Sequence, residues 1–110
     1  MISFSSDKKI RGMVNTIVPI SDFVVITKHK VIERAARTEF LSELVKKHNK
    51  NYMRVEDVKN AVRKALSISN ENDLILVTGS LFSVGEAREI WYNEADYKWG
   101  RELNFGPSIK

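Results

Sequence analysis

The chain has 110 residues, which is enough for one domain with a hydrophobic core but too few for two. Its 43% hydrophobic and 29% charged residues exclude disorder as the main description. The absence of cysteine excludes disulfides and thiolate metal sites and predicts a reducing, cytoplasmic location. No apolar run approaches the roughly 20 residues that cross a bilayer, so no membrane partner is expected. The net charge of +4 indicates an anionic partner only where the basic residues cluster.

The first elements predicted are a short strand, a helix and a long strand. Residues 2–5 are compatible with a strand, and Asp7 can cap the helix that follows. Pro19 is expected to end that helix. Residues 23–26 are apolar on both faces, which is typical of a strand covered by helices on each side of a parallel sheet. The apolar stripe of the helix consists of Ile10, Met13, Val14 and Ile17.

The middle of the chain predicts two helices with a weak strand between them. Thr38 is the expected N-cap of the first helix, and Asn49 is its expected stop. Residues 52–55 predict the weak strand. The two apolar stripes consist of Phe40, Leu41, Leu44 and Val45, and of Val58, Ala61, Val62, Ala65 and Leu66.

The last predicted unit is a buried strand over residues 74–77 that stops at the Thr78-Gly79 turn. A helix follows, starting at Ser80 or at Ser83. A capping box of Ser83 with the glutamate three residues later favours the second start.

Alternating strands and helices predict an α/β fold. We expect a three-layer domain over residues 1–92, with a mainly parallel sheet of about four strands flanked by helices. Residues 93–110 form a C-terminal tail, whose aromatic residues predict partial packing over the edge of the sheet.

Three loops at the predicted carboxyl ends of strands are candidate anion sites. In residues 5–9, two lysines occupy the first turn of a helix, which favours a bound anion or simply leaves both solvated. Residues 28–37 hold four basic side chains and one acidic one, so they form either a phosphate or carboxylate site or a solvated loop. Residues 78–86 present a glycine turn and a helix N-terminus, which suit an anion or serve geometry alone.

Other catalytic patterns are absent from the sequence. Neither G-x-x-x-x-G-K-[ST] nor G-x-G-x-x-G occurs, so no nucleotide site is recognised. G-x-S-x-G is absent as well. His29 is a candidate general base or ligand, but it has no cysteine or histidine at metal-ligand spacing and is interpreted as a polar surface residue.

Several segments resemble one enzyme family. Residues 73–88, DLILVTGSLFSVGEAR, resemble the closing strand and helix of folylpolyglutamate synthases and dihydrofolate synthases. Residues 7–13 resemble the helix start of that family, which reads Asp-Lys-Asp. Residues 26–27 and 34–35 resemble its next strand and Arg-Ala segment. Over about residues 2–92 the resemblance implies the C-terminal, Rossmann-like domain of the Mur ligase superfamily.

What the resemblance implies is an amide ligase that uses ATP and magnesium. ATP phosphorylates the carboxylate of a folate-type substrate, and the amine of an incoming glutamate attacks the acyl phosphate. The C-terminal domain mainly holds the glutamate. By position in the motifs, Lys8 and Ser83 would meet its carboxylates, and Arg34 would lie on the same wall. Gly79 and Ser80 belong to the same substrate-binding turn.

Parts of the family pattern have no counterpart in these residues. They are the ATPase domain with its P-loop, and the first strand and helix of the C-terminal domain with their Asp-Gly-Ala-His-Asn-Pro segment. Lys9 stands where the family usually has Asp, and Ser3 where it has Gly. We therefore expect no cofactor and no catalysis in this chain alone, with the ATPase domain as a partner. The chain is either a fragment or domain of a ligase or a small stand-alone relative.

The leading hypothesis is a glutamate-binding ligase domain, and the rival is a stand-alone interaction or regulatory module with the same fold. Nucleic-acid binding through residues 28–37 ranks last, because only Phe40 lies nearby for base stacking. Without the first strand and helix, the apolar faces of the inner strands cannot all be covered. A homodimer is therefore expected, with the tail covering only part of the vacancy. The residues concerned are Val24, Ile26, Leu74 and Leu76.

Overall fold

The centre of the fold is a two-stranded parallel sheet of β1 (Phe23–Lys28) and β2 (Asn51–Asp57). Our computed structural model describes residues 1–6, 9–31 and 34–92. The sequence prediction of an α/β fold with parallel strands is confirmed in these residues. The helices are α1 (Ile10–Ile17), α2 (Thr38–Lys46), α3 (Val58–Ile68) and α4 (Leu81–Arg88).

The first residues of the chain lie alongside β1. The Ile2 amide donates to the Val25 carbonyl at 2.8 Å, and the Thr27 amide donates back to Ile2 at 3.0 Å. This parallel pairing is short because the chain has turned away from β1 by Ser5, which forms an antiparallel bridge with Ala35. Residues 2–5 therefore contribute bridges and not a regular strand.

A second segment, residues 74–78, lies on the far side of the first residues. The Thr78 amide donates to the Met1 carbonyl at 3.1 Å, and Ile2 and Thr78 form a single parallel bridge. The prediction of about four strands in three layers is thus not confirmed, because only two regular strands occur in the described residues.

The two faces of β1 are buried under different helices. Val24 and Ile26 belong to the larger core cluster, which they share with α1 and α2. Val25 points the other way and packs against Ala61 and Ala65 of α3. The alternation of side chains along a strand explains why three consecutive apolar residues are buried on opposite faces.

Residues 74–77 were predicted as a strand, and Leu74 and Leu76 were among the four apolar residues that were not all expected to be covered. No regular strand forms there among the described residues. The other two of the four residues, Val24 and Ile26, are buried. Ile75 and Val77 pack on the α3 side. Leu74 and Leu76 face the other side and are 91% and 48% exposed. No helix covers that side among the described residues, so the incomplete cover falls on Leu74 and Leu76.

Local sequence signals predicted some of the helix ends correctly. Pro19 lies in a 3₁₀ turn directly after α1, and Asn49 has a left-handed φ of 55° after α2, so both predicted stops are confirmed. Thr38 is not the N-cap of α2. It is the first helical residue, and its hydroxyl donates to Glu56 at 3.3 Å.

No helix in the described part of the chain is long and apolar enough to cross a membrane. Asp7, Lys8 and the predicted tail over residues 93–110 lie outside the described residues.

Candidate functional site

Backbone hydrogen bonds bring the first two candidate loops together. The Ser6 amide donates to the Arg34 carbonyl at 2.6 Å, and the Ala36 amide donates to the Phe4 carbonyl at 2.7 Å. These bonds lie beyond the carboxyl end of β1, where ligands of parallel α/β sheets bind. The loop after residues 2–5 and the loop after β1 therefore form one surface.

Side chains join the third loop to this surface. The guanidinium carbon of Arg34 lies 5.8 Å from the centre of the Phe82 ring, in the first turn of α4. The His29 ring lies 5.1 Å from the same Phe82 ring. A guanidinium that stacks on an aromatic ring is restricted in its orientation.

His29 is the residue that sequence reasoning missed. It was interpreted as a surface residue, but it is only 1% exposed, so that interpretation is wrong. Its Nε2 lies 3.3 Å from the Ser5 hydroxyl. The signal in the sequence was its position directly after a strand that is buried on both faces.

The start of α4 contains three of the predicted site residues. Gly79 has a φ of +112°, a conformation that residues with a Cβ rarely adopt. Ser80 caps the helix, with its hydroxyl accepting from the Phe82 amide at 3.1 Å. Ser83 is fully buried, and its hydroxyl lies 3.5 Å from the Ser3 carbonyl. The helix therefore begins at the earlier of the two serines that the sequence offered.

Glu86 makes a tertiary contact and not the predicted capping box. Its Oε2 accepts from the Lys30 amide at 2.6 Å. The contact fixes the loop after β1 to α4. A capping box is a local signal, and here a bond between distant segments replaces it.

Four buried polar atoms near this surface have no hydrogen-bond partner in the described residues. They are Ser3 Oγ, Thr27 Oγ1, His29 Nδ1 and Glu86 Oε1. Buried polar atoms usually bind protein groups or ordered water. These four atoms make the interior at this end of the sheet polar, whereas the core cluster around Val24 and Ile26 is apolar.

A groove of about 540 Å³ lies beside the site, between α1 and the end of residues 74–78. Its polar side is formed by Lys9, Thr78 and Gly79. Its apolar lining includes Phe4 and Met13. The groove is open and lies on the side of the sheet where Leu74 and Leu76 are exposed.

Burial lowers the pKa of the His29 imidazole; the Glu86 carboxylate opposes this shift, and the Arg34 guanidinium adds to it. A lowered pKa keeps the folded state from taking up a proton that the unfolded state accepts near pH 6.5. The contribution of His29 to stability is therefore complete above about pH 6.5 and is lost progressively as the pH falls below that value.

We expect His29→Gln to flatten the pH dependence of the free energy of unfolding between about pH 5 and about pH 6.5. Glutamine can still bond to the Ser5 hydroxyl, but it does not titrate. Urea denaturation of both proteins across this range measures the difference. If the free energy of unfolding changed equally with pH in both proteins, the assignment of a neutral, buried imidazole would be contradicted.

The five predicted substrate-binding residues are placed as follows. Arg34, Gly79, Ser80 and Ser83 lie at the carboxyl-end surface, with Ser83 turned inward. Lys8 lies outside the described residues.

Fold and site together define a small parallel α/β domain with a partly cationic surface at its strand ends. The model of the family described as "Mur ligase, glutamate ligase domain" matches residues 2–81. This is more than half of the chain, so the chain belongs to that family. The match includes Lys8 and Arg34 and ends before Ser83. No curated protein and no solved structure in the comparisons matches the chain.

Proposed function

We propose that this chain is the glutamate-binding domain of an ATP-dependent amide ligase similar to folylpolyglutamate synthases, and that it is not catalytic alone. The observation that carries the proposal is the contact between Arg34 and the first turn of α4. Membership of the glutamate ligase family supports it. A folate-type acceptor and a cytoplasmic location are part of the same proposal.

Two kinds of carboxylate-binding group meet at this contact. Arg34 offers a planar fork of donors that can hold a carboxylate in bidentate fashion. The first turn of α4 offers backbone N–H groups without helical partners, together with the positive end of the helix dipole. Ser80 already accepts from the Phe82 amide, so in this proposal the amide of the exposed Leu81 is the one that binds the ligand. A dicarboxylate such as glutamate suits both groups at once.

Ser83 has a supporting role in this proposal. Its buried hydroxyl points to the Ser3 carbonyl and not to the surface, so Ser83 supports the substrate-binding turn from inside. By its position in the family motif, Lys8 would contribute a positive charge to carboxylate binding.

The residues present do not fit ATP and magnesium. The sequence contains no P-loop, and the described residues hold no group of three histidine or acidic side chains that could bind a metal ion. We therefore assign phosphate activation to the ATPase domain of the full-length ligases. This chain positions the amino acid and holds its carboxylates, so that its amine is directed at the activated substrate.

We also infer that residues 2–5 and 74–78 act as third and fourth strands of a Rossmann-like sheet once the domain has its neighbours. The bridges of Ile2 with Ile26 and Thr78 support this order. Protection of the Thr78 amide from hydrogen exchange would test it.

Titration of the full chain with glutamate tests the proposed function. We expect saturable amide shifts around Arg34 and Ser80 in NMR spectra. Arg34→Ala should weaken binding about 10- to 100-fold, because it removes charge-assisted hydrogen bonds to a carboxylate. Arg37→Ala is the matched control, since Arg37 belongs to the same loop but is exposed and lies 3.7 Å from Glu39. We expect its effect to stay within about twofold.

Glutamine in place of glutamate separates recognition of the side-chain carboxylate from general charge attraction. Equal affinity for both amino acids, or equal losses in the two arginine variants, would contradict the proposed site.

The rival function, a stand-alone interaction module, is favoured by a different observation. Leu74 and Leu76 expose apolar surface at the open edge next to the groove. Such a surface marks a contact site.

A further inference from the structure

We propose that the chain forms a symmetric homodimer in which residues 74–78 of two copies pair as antiparallel strands, with Leu76 at the twofold axis. The proposal is independent of glutamate binding. It rests on the backbone, the side chains and the charges of one edge.

The backbone of this segment has one free side. The Leu76 carbonyl accepts from the Met1 amino group at 2.9 Å, and Thr78 bonds to Met1 and Ser3, so the groups of these two residues face inward. Successive residues of a strand direct their backbone N–H and C=O groups to opposite edges of the strand. The N–H and C=O groups of Ile75 and Val77 therefore face outward, and no hydrogen bond to them occurs in the described part of the chain.

The edge has none of the features that keep sheet edges apart. Residues 74–79 read LILVTG and contain no charge and no proline. Monomeric proteins commonly protect an edge with a lysine, a proline or a bulge. Two identical copies of this segment meet without repulsion.

Antiparallel pairing about Leu76 gives a defined register. Ile75 lies opposite the partner's Val77, so the outward-facing groups form hydrogen-bonded pairs. Leu76 lies opposite its own copy. Leu74, which is 91% exposed, lies opposite the partner's Thr78.

This register also matches surface shapes. Thr78 lines the groove of about 540 Å³, together with Phe4, Met13 and Ile17. Directly opposite residues of an antiparallel pair point to the same face of the sheet. The exposed Leu74 of each copy is thus carried to the mouth of the other copy's apolar groove.

Charges favour the same orientation. Asp73 precedes the edge segment, and Lys9 lines the groove that also contains Gly79, the residue after the edge segment. In the antiparallel register Asp73 lies level with the partner's Gly79. The acidic start of one edge therefore approaches the basic end of the other, and this identifies a second copy as the occupant.

Charge substitution at the twofold axis is the sharpest test, because the introduced charge of one copy then lies opposite the same charge of the second copy. Leu76→Lys and Leu76→Glu chains should each be monomeric, whereas an equimolar mixture should form a heterodimer. Leu76 is about half exposed, so both variants should fold, and circular dichroism checks this. Leu66→Lys is the matched control: Leu66 is 47% exposed on α3, away from the edge.

Sedimentation of the full chain between about 5 µM and about 500 µM covers the affinity range of a short interface. A dimer for the unchanged chain and for Leu66→Lys, with recovery only in the mixture of Leu76 variants, supports the proposal. A monomer at every concentration would mean that residues 93–110 or another protein covers the edge. Dimerisation of Leu76→Lys alone would place the contact on another surface. Either of these results overturns the proposal.

Discussion

Gly79→Ala is expected to destabilise the chain by about 3–5 kcal/mol, the largest effect that we expect from a single methyl group. The φ of +112° is costly for any residue with a Cβ. A Cβ at this position would also lie 2.5 Å from the Ser3 carbonyl oxygen and 2.8 Å from the Phe4 ring. Both neighbours are buried, so neither can move aside cheaply. Since a domain of this size is stable by about 5–15 kcal/mol, a large fraction of the stability would be lost.

Gly12→Ala is the matched control for that experiment. Gly12 lies in α1, and a Cβ there would meet nothing within 4 Å. Alanine should therefore raise the free energy of unfolding by up to about 1 kcal/mol through its helix propensity. Urea denaturation measures both variants. Equal stabilities of the two alanine variants would show that the turn at Gly79 can relax and is not fixed by residues 3–4.

Ile26→Ala is expected to cost about 3–4 kcal/mol. Ile26 is fully buried in β1, between Ile2 on one side and Arg54 of β2 on the other. Its side chain belongs to the cluster that joins α1 and α2 to the sheet. Truncation leaves a cavity that these elements cannot close without breaking the strand pairs.

Ile20→Ala applies the same chemical change at an exposed position. Ile20 is 78% exposed in the 3₁₀ turn after α1, so the expected change lies within about 0.5 kcal/mol. Denaturant midpoints of the two variants give the comparison. A similar cost at both positions would mean that the packing around β1 does not carry the stability of the domain.

The stability and the proposed function share the same short segment. Residues 2–5 contact the Gly79 turn through Ser3 and Phe4, and they contact His29 through Ser5. Changes in this segment should affect both folding and the site. The arginine variants proposed for glutamate binding avoid this complication, because Arg34 and Arg37 are exposed.

Much of the architecture could be predicted from the sequence because its signals are local. The apolar period marked α1, α2 and α3, the glycine turn and a serine cap marked α4, and the double-sided apolar run marked β1. Pro19 and the left-handed Asn49 ended two helices at the expected places. These features depend on backbone geometry and on burial of one stripe of a helix, both of which a short window of residues reports.

The sequence also predicted three polar loops at strand ends, and it predicted Arg34 and the 78–86 turn as parts of candidate anion sites. Parallel strands end at one edge of their sheet, so this part of the site follows from chain order. The family match over residues 2–81 agrees with the resemblance at the level of the ligase superfamily.

Only the tertiary structure decided which side chains are buried at those loops, and which of the apolar faces that could not all be covered stays exposed. His29 is buried because Ser5 and Phe82 come from distant segments to enclose it, and Glu86 bonds to Lys30 across 56 positions instead of capping its own helix. Leu74 is exposed although its run reads like a core strand. Burial depends on what other segments cover, and a local pattern holds no record of a covering element that is far away or absent.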